Sequence, residues 1–256
     1  MSILRTVCCG YALLISLNVN AGIIDFETTA LGGIPTDNSI IKLNDAFMAD
    51  GVSVSFGFDV DGDGVVDSNG VFEKVGGRRE GGNSGFLSSF GSRYDITAPG
   101  FESLLGNFFL RQENAYSPFG TFHVIYDAMN PVTAASGEIW DIDGGNKLSK
   151  TERFLVKAFD GDDLLDFITS PLGLESAGDR TLDGKPWAFG FSGLSDITRI
   201  EISFTGTKTK GIGLAFNNFS PVEDISNSVN VPEPSSITIF ALGIIGLASY
   251  RFKQQP

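Results

Sequence analysis

Short runs in which apolar and polar residues alternate dominate the chain from residue 22 to about residue 220. The clearest runs cover residues 52–56, 122–126, 154–159, 200–204 and 212–216. A period of two places successive side chains on opposite faces of a β-strand, so we predict a strand in each run. Clusters of Gly, Asn, Asp and Pro, which favour tight turns, separate the runs at residues 76–77, 81–83, 98–100, 143–146 and 160–162.

The pattern predicts an all-β fold. No long amphipathic helical period is present, and the 22 Phe residues supply large side chains for a core between sheets. We therefore expect a single β-sandwich domain of jelly-roll type over residues 22–220, followed by a linker over residues 221–230. No internal repeat of 20 to 50 residues is visible, which argues against a propeller or a solenoid.

The N-terminal 21 residues have the pattern of a signal peptide. Arg5 precedes an apolar run over residues 7–17, and small residues stand at Val19 and Ala21, the positions that signal peptidase inspects. We predict cleavage by signal peptidase after Ala21. Both cysteines lie inside residues 1–21, so the mature chain is expected to form no disulfide and no thiolate metal site.

The C-terminal residues 231–256 combine a proline-rich segment, an apolar run and a basic tip. Pro232, Glu233 and Pro234 precede the uncharged residues 237–250, and Arg251 follows them. A helix over residues 237–250 would be about 21 Å long, shorter than the roughly 30 Å of membrane hydrocarbon. The basic tip favours the cytoplasmic face and places the body outside. We predict a short transmembrane helix at 237–250, with permanent anchoring by an unprocessed tail as the alternative.

The order Pro-Glu-Pro, short apolar helix, basic tip resembles the PEP-CTERM sorting signal of Gram-negative bacteria. The resemblance implies recognition by an exosortase, a membrane-embedded cysteine transpeptidase, and removal of the tail. It also implies delivery from the inner membrane to the cell surface or the extracellular polysaccharide. The body, at residues 136–144, 182–187 and 215–220, is similar to a functionally unassigned group of PEP-CTERM proteins, and that similarity implies no activity.

Charge narrows the set of partners. The chain carries 18 Lys and Arg against 31 Asp and Glu, a net charge of -13, and its pI is about 4.4. A protein with this negative net charge repels the phosphate backbones of nucleic acids, so we expect no nucleic-acid partner. Cations are the more natural small ligands.

Oxygen ligands at the spacing of a calcium-binding loop follow the first long strand pattern. These ligands are Asp59, Asp61, Asp63, the backbone carbonyl of Val65, and Asp67. Gly64 occupies the position of the sharp turn, but Gly70 replaces the bidentate Glu of a complete EF-hand, and Glu73 comes three residues later. We predict an isolated Ca²⁺ loop in a β context, with a solvated acidic turn as the alternative.

Two other acidic groups are weaker candidates for a metal site. Asp141 and Asp143 are two residues apart, so they point to the same side of a strand end, where Asn217 or Asn218 from a late strand could join them. The alternative is that these side chains bond to the backbone of turns. Residues 160–163 are predicted to form a hairpin turn.

Aromatic residues of the body suggest binding of polysaccharide. Trp140 and Trp187 are candidate glycan contacts, since such rings stack on sugars, and core packing is the alternative. Tyr94, Tyr116 and Tyr126 have the same amphipathic character.

The sequence offers few residues that could form a catalytic site. His123, the only histidine, lies in an apolar strand pattern and reads as structural, and no Gly-x-Ser-x-Gly elbow is present. We therefore expect a non-enzymatic structural or carbohydrate-binding protein. The alternatives are a membrane-anchored spacer and a hydrolase acting on polysaccharide through carboxylates, for which the candidates are Glu138, Asp141, Asp160 and Asp163.

Overall fold

The computed structural model describes residues 22–75, 97–113, 120–145, 148–176, 179–209 and 215–222. Several sequence predictions fall outside these residues. They are the signal peptide with Ala21, the linker from residue 223 onward, the sorting motif Pro232, Glu233, Pro234 and Arg251, the helix at 237–250, and Tyr94 and Tyr116. Among the described residues, no helix has the length and apolar character needed to cross a membrane.

The described chain is all-β, as predicted, and contains one short helix and one 3-10 turn (Leu148–Lys150). Its elements in chain order are β1 (Ile40–Ile41), β2 (Phe47–Ala49), β3 (Val52–Asp59), β4 (Gly70–Lys74), α1 (Glu102–Leu105), β5 (Phe108–Gln112), β6 (Thr121–Tyr126), β7 (Val132–Trp140), β8 (Phe154–Asp160), β9 (Asp163–Thr169), β10 (Glu175–Ser176), β11 (Asp179–Arg180), β12 (Pro186–Ile197), β13 (Arg199–Phe204) and β14 (Ala215–Ser220).

The strands form two antiparallel six-stranded sheets and a small ribbon of β10 with β11. The first sheet has the order β1-β4-β5-β14-β7-β12, and the second has the order β2-β3-β6-β13-β8-β9. From β5 onward the chain changes sheet at almost every strand: β5, β7, β12 and β14 lie in the first sheet, and β6, β8, β9 and β13 lie in the second. Consecutive segments therefore meet through the core rather than side by side.

The core lies between the two sheets, which pack face to face through phenylalanine rings. The ring of Phe122, on β6, stacks on that of Phe216, on β14, with centroids 4.4 Å apart. Phe56, on β3, meets Phe219, on β14, at 5.3 Å. Because the side chains alternate along β3, Val54 and Phe56 are buried in this core and Ser55 is only half-buried.

A second, smaller apolar cluster lies on the outer face of the first sheet. The short helix α1 places Leu105 against Phe109, Trp140 and Ala215. Trp140 and Ile139 are neighbours on β7, so their side chains point to opposite faces: Ile139 faces the main core, and Trp140 faces α1. The segment that carries α1 is thus held over the outer face of the sheet.

Candidate functional site

The predicted calcium loop begins at the last residue of β3. One carboxylate oxygen of Asp59 accepts the N–H of Gly62 at 2.7 Å, and the other accepts the N–H of Gly64 at 2.9 Å. Further on, Asp61 accepts the N–H of Asp63 at 3.2 Å, and Asp63 accepts that of Val65 at 2.8 Å. The positive φ angles of Gly62 (80°) and Gly64 (88°) allow the chain to curl around these carboxylates.

Three carboxylates of this loop converge. Asp59, Asp61 and Asp63 each offer one oxygen, and these three oxygens lie within 4.8 Å of one another. Calcium binds oxygen at 2.3–2.6 Å, so this clustering is near the spacing that a shared ion requires. Asp59 is buried at the base of the loop, while Asp61 and Asp63 are exposed at its mouth.

The remaining predicted ligands have other positions. Asp67 accepts the N–H of Val60 at 3.0 Å and closes the base of the loop, outside the group of three carboxylates. The side chain of Val65 is exposed, and the predicted role of its carbonyl stays a prediction. Glu73 does not complete the loop, because its carboxylate forms a buried ion pair with Arg111 of β5.

The second acidic pair has different neighbours from those we expected. Asp141 and Asp143 group with Asp183, with one oxygen of each within 4.8 Å of the others. Lys208 adjoins them: its Nζ lies 2.5 Å from Glu152 Oε1 and 3.6 Å from Asp143 Oδ1. The expectation that Asn217 or Asn218 would join this pair is wrong. A lysine ammonium supplies positive charge where we had considered a metal ion.

Asn217 and Asn218 instead hold α1. The side-chain amide of Asn217 donates to the carbonyl of Leu105 at 2.8 Å, and that of Asn218 donates to the carbonyl of Leu104 at 3.0 Å. These carbonyls lie at the C-terminal end of α1, where a helix has no internal donors for them. Two adjacent asparagines of β14 therefore fix α1 to the sheet.

A groove of about 1030 Å³ opens beside α1 on the outer face of the first sheet. Its floor includes Glu138 of β7 and Ala188 of β12, which are direct partners in the sheet register. One wall is the N-terminal segment around residues 22–32 together with residues 47–50 of β2 and its following turn, and the other is the segment 100–106 with α1. We call this space the outer-face groove. The small side chain of Ala188 leaves room above the floor.

The walls are held by backbone and side-chain hydrogen bonds. Glu27, from the N-terminal wall, accepts the backbone N–H groups of Asn107 at 2.5 Å and Phe108 at 3.0 Å, next to the end of α1. It also accepts the side-chain amide of Asn107 at 3.0 Å. Because Glu27 ties one wall to the other, the width of the groove is set by the fold itself.

Glu138 is the buried carboxylate of the groove, with 5% of its surface exposed. Its Oε2 accepts hydrogen bonds from Trp140 Nε1 at 3.0 Å and from Asn218 Nδ2 at 2.8 Å. Burial raises the pKa of Glu138 to about 7, and the two hydrogen bonds only partly oppose that rise. The sequence pointed to Glu138 but not to these partners: Trp140 lies two residues further along β7, and Asn218 lies on the neighbouring strand β14, 80 residues away in sequence.

The other sequence candidates do not gather at this groove. Of the four carboxylates proposed for a hydrolase, only Glu138 lines it. Asp160 and Asp163 are paired residues of the β8–β9 hairpin, where a turn was predicted. His123 is buried in β6, and burial lowers its pKa, in keeping with the structural role we expected.

Neither tryptophan lies in the groove. Trp140 is fully buried, so its ring presents no face to a sugar, and its position does not support the expectation of glycan contact. Trp187 is half-buried and packs against Phe189 on the inner side of the first sheet, with ring centroids 6.0 Å apart. Both rings are used in packing, which was the alternative stated from the sequence. Tyr126 is likewise buried in the main core.

Comparison with known families locates the sorting signal. The family described as the PEP-CTERM protein-sorting motif matches residues 230–253. The chain is therefore a PEP-CTERM sorting domain-containing protein, as the Pro-Glu-Pro segment and basic tip predicted. The motif implies processing by an exosortase, export and association with the cell surface. No curated protein matches the chain.

Proposed function

We propose that the exported body is a non-enzymatic, Ca²⁺-stabilised β-sandwich that binds extracellular carbohydrate at the outer-face groove. The order of its strands, β5-β14-β7-β12 facing β6-β13-β8-β9, is that of a jelly roll, an architecture that includes lectin domains. Fold alone does not define function, so the proposal depends on the groove.

The groove carries the proposal because its size and lining suit a sugar chain. Its volume of about 1030 Å³ is at the upper end of the range for ligand pockets. Thr28 and Ser103 offer hydroxyl groups to sugar hydroxyls, while Phe101 and Leu104 offer apolar surface. A mixed lining of this kind fits the alternating polar and apolar faces of a sugar ring.

Calcium has a structural part in this proposal. The three converging carboxylates of Asp59, Asp61 and Asp63 repel one another when they are ionised, and a divalent cation would remove that repulsion. An ion there would fix the turn that joins β3 to β4, and with it the edge of the sandwich.

The test is co-sedimentation of the mature protein with the producing organism's own extracellular polysaccharide, in Ca²⁺ and in chelator. Ala188→Phe fills the groove from its floor, and Ser192→Phe adds the same ring at an exposed position of the same strand. We expect wild type and Ser192→Phe to be enriched and Ala188→Phe to lose enrichment. Absence of enrichment for wild type in either condition, or unchanged enrichment for Ala188→Phe, would contradict the proposal.

One observation favours a second candidate function, a polysaccharide hydrolase. A buried carboxyl with a pKa near 7 suits a general acid at neutral pH. Release of reducing ends from the same polysaccharide by wild type, and its loss in Glu138→Gln, would support this candidate. If neither wild type nor Glu138→Gln releases reducing ends, the result would support the binding module.

A third candidate, a membrane-anchored spacer, would need neither groove nor ligand. It predicts that Ala188→Phe changes neither co-sedimentation nor surface display.

A further inference from the structure

Resting on the carbohydrate-binding function proposed above, we propose that the outer-face groove selects sugars that carry a free amine. A cationic amino sugar would place its ammonium group against Glu138 and its hydroxyls along the polar rim. Polymers of glucosamine belong to this class. Acidic polymers, such as those of uronic acids, are excluded by the same charges.

The charged side chains that line the groove are all acidic. Four carboxylates line it, those of Asp25, Glu27, Asp50 and Glu138. Among the described residues that form the lining, none is Lys, Arg or His, and the α-ammonium that cleavage after Ala21 would create at Gly22 is paired with Asp50. A concave surface of one sign concentrates ligands of the opposite sign and repels those of the same sign.

Three of the four carboxylates accept backbone N–H groups. Glu27 accepts the backbone N–H groups of Asn107 and Phe108, and Asp50 accepts the N–H of Gly22 at 3.1 Å. Asp25 accepts the N–H of Glu27 at 3.1 Å and is exposed at the rim, while Glu138, whose partners are side chains, lies at the floor. A ligand would therefore meet one carboxylate on entry and a second at the bottom of the groove.

Glu138 differs from two other buried glutamates, Glu73 and Glu152, in the charge of its hydrogen-bond partners. Burial raises the pKa of Glu73, Glu138 and Glu152 alike to about 7. Glu73 is paired with Arg111, and Glu152 is paired with Lys208 at 2.5 Å. Within the described part of the chain, Glu138 has only the neutral donors Trp140 and Asn218. An ionised carboxylate buried without a cation is costly, and a ligand ammonium would supply the missing charge.

The size of the groove argues for an organic cation over a metal ion. A single calcium ion with its ligands needs a cage of oxygens at 2.3–2.6 Å, whereas this space holds about 1030 Å³. Thr28 and Ser103, which are exposed, also line this space and add hydroxyl groups to it, whereas Glu138 is buried. An amine at one end of a hydroxyl-rich ligand matches this arrangement.

The experiment is calorimetric titration of the mature protein with three oligosaccharides of equal length: β-1,4-linked glucosamine, its N-acetylated form and an oligogalacturonate. The titrations are made in 0.3 M NaCl so that attraction to the net negative charge of the protein is screened. Glu138→Gln removes the charge at the floor and keeps an acceptor for Asn218 or Trp140. Glu113→Gln removes one charge at an exposed position as the matched control.

We expect the glucosamine oligomer to bind wild type and Glu113→Gln about tenfold more tightly than the N-acetylated oligomer, with no binding of the oligogalacturonate. In Glu138→Gln the tenfold preference should disappear while the N-acetylated oligomer still binds. Equal affinity of wild type for the amine and its N-acetylated form would overturn amine selection and leave carbohydrate binding standing. An undiminished preference in Glu138→Gln would overturn the assignment to this groove. Failure of every oligosaccharide, together with failure to co-sediment with the native polysaccharide, would overturn the proposed function itself.

Discussion

The backbone N–H of Gly22 donates to the carboxylate of Asp50 at 3.1 Å. Gly22 is buried, and a Cβ built on it would lie 2.5 Å from Asp50 Oδ2 and 2.9 Å from the backbone nitrogen of Asp50. Two residues later, Ile24 exchanges backbone hydrogen bonds with Phe219 of β14 at 2.7 and 3.1 Å. The residue that follows the predicted cleavage site is thus held against the fold, and only glycine fits there without a shift.

Cleavage after Ala21 would convert the Gly22 N–H into an α-ammonium group facing Asp50. Hydrogen bonds between charged groups are stronger than those of a neutral amide. We expect a chain beginning at Gly22 to be about 1 kcal/mol more stable toward urea than the same chain with an acetylated N-terminus. Asp50→Asn should abolish the difference. If the chain with a free N-terminus and the acetylated chain are equally stable while Asp50 is present, that result would contradict this contact.

Glu138→Gln is expected to change the pH dependence of stability. Burial raises the pKa of Glu138 from 4.5 to about 7, so the folded state holds this proton more tightly than the unfolded state. Its contribution to stability is therefore full below pH 4.5 and is lost as the pH rises to 7. The variant should match wild type at pH 4 and exceed it by on the order of 1–3 kcal/mol at pH 8.

Urea unfolding of wild type, Glu138→Gln and Glu113→Gln at the two pH values measures this difference. The exposed Glu113→Gln control should follow wild type at both. A variant that is less stable than wild type at pH 8 would show that the ionised carboxylate is stabilising, against our interpretation of its burial.

Calcium should stabilise the protein through the loop after β3. We expect millimolar Ca²⁺ to raise the melting temperature and to bind with a dissociation constant of about 10⁻⁴–10⁻³ M, as in extracellular modules. Asp61→Asn combined with Asp63→Asn should remove both effects, because these carboxylates form the mouth of the site. Asp162→Asn, in the β8–β9 turn, is the control and should leave them intact. Retention of binding in the double variant would place the ion elsewhere.

Phe122 should be among the most sensitive core positions. Its ring lies between the sheets and contacts the rings of Phe56, Phe58, Phe216 and Phe219. Phe122→Ala removes these contacts and is expected to cost about 3–5 kcal/mol of unfolding free energy. Phe167→Ala, at a position 58% exposed on β9, should cost less than about 0.5 kcal/mol. Similar losses at both positions in chemical denaturation would contradict the two-sheet core.

Local patterns predicted the strands well where alternation is uninterrupted. The runs at 52–56, 122–126, 154–159 and 200–204 lie within β3, β6, β8 and β13. The run at 212–216 enters β14 only at Ala215, because residues 212–214 are outside the described chain. The twelve-residue β12 was not predicted, since Pro186, Gly190 and Gly193 are residues that normally mark turns or strand breaks.

The two candidate sites also differ in how far the local sequence predicts them. The carboxylates of Asp59, Asp61 and Asp63 lie close in sequence, so their spacing alone predicts that they converge. The groove is non-local: Glu138 and Asn218 are 80 residues apart and meet only because β14 pairs with β7. The sheet register, which one-dimensional patterns do not contain, also explains why Asn218 reaches Glu138 instead of Asp141 or Asp143.

A role at the cell surface requires that both ends of the chain be processed. The decisive measurement is the intact mass of the protein recovered from the cell surface of the producing organism, compared with an exosortase deletion strain. We predict an N-terminus at Gly22 and the absence of residues 237–250 in the surface protein, with the tail retained in the deletion strain. A surface protein from normal cells that still carries residues 1–21 or residues 237–250 would contradict the account.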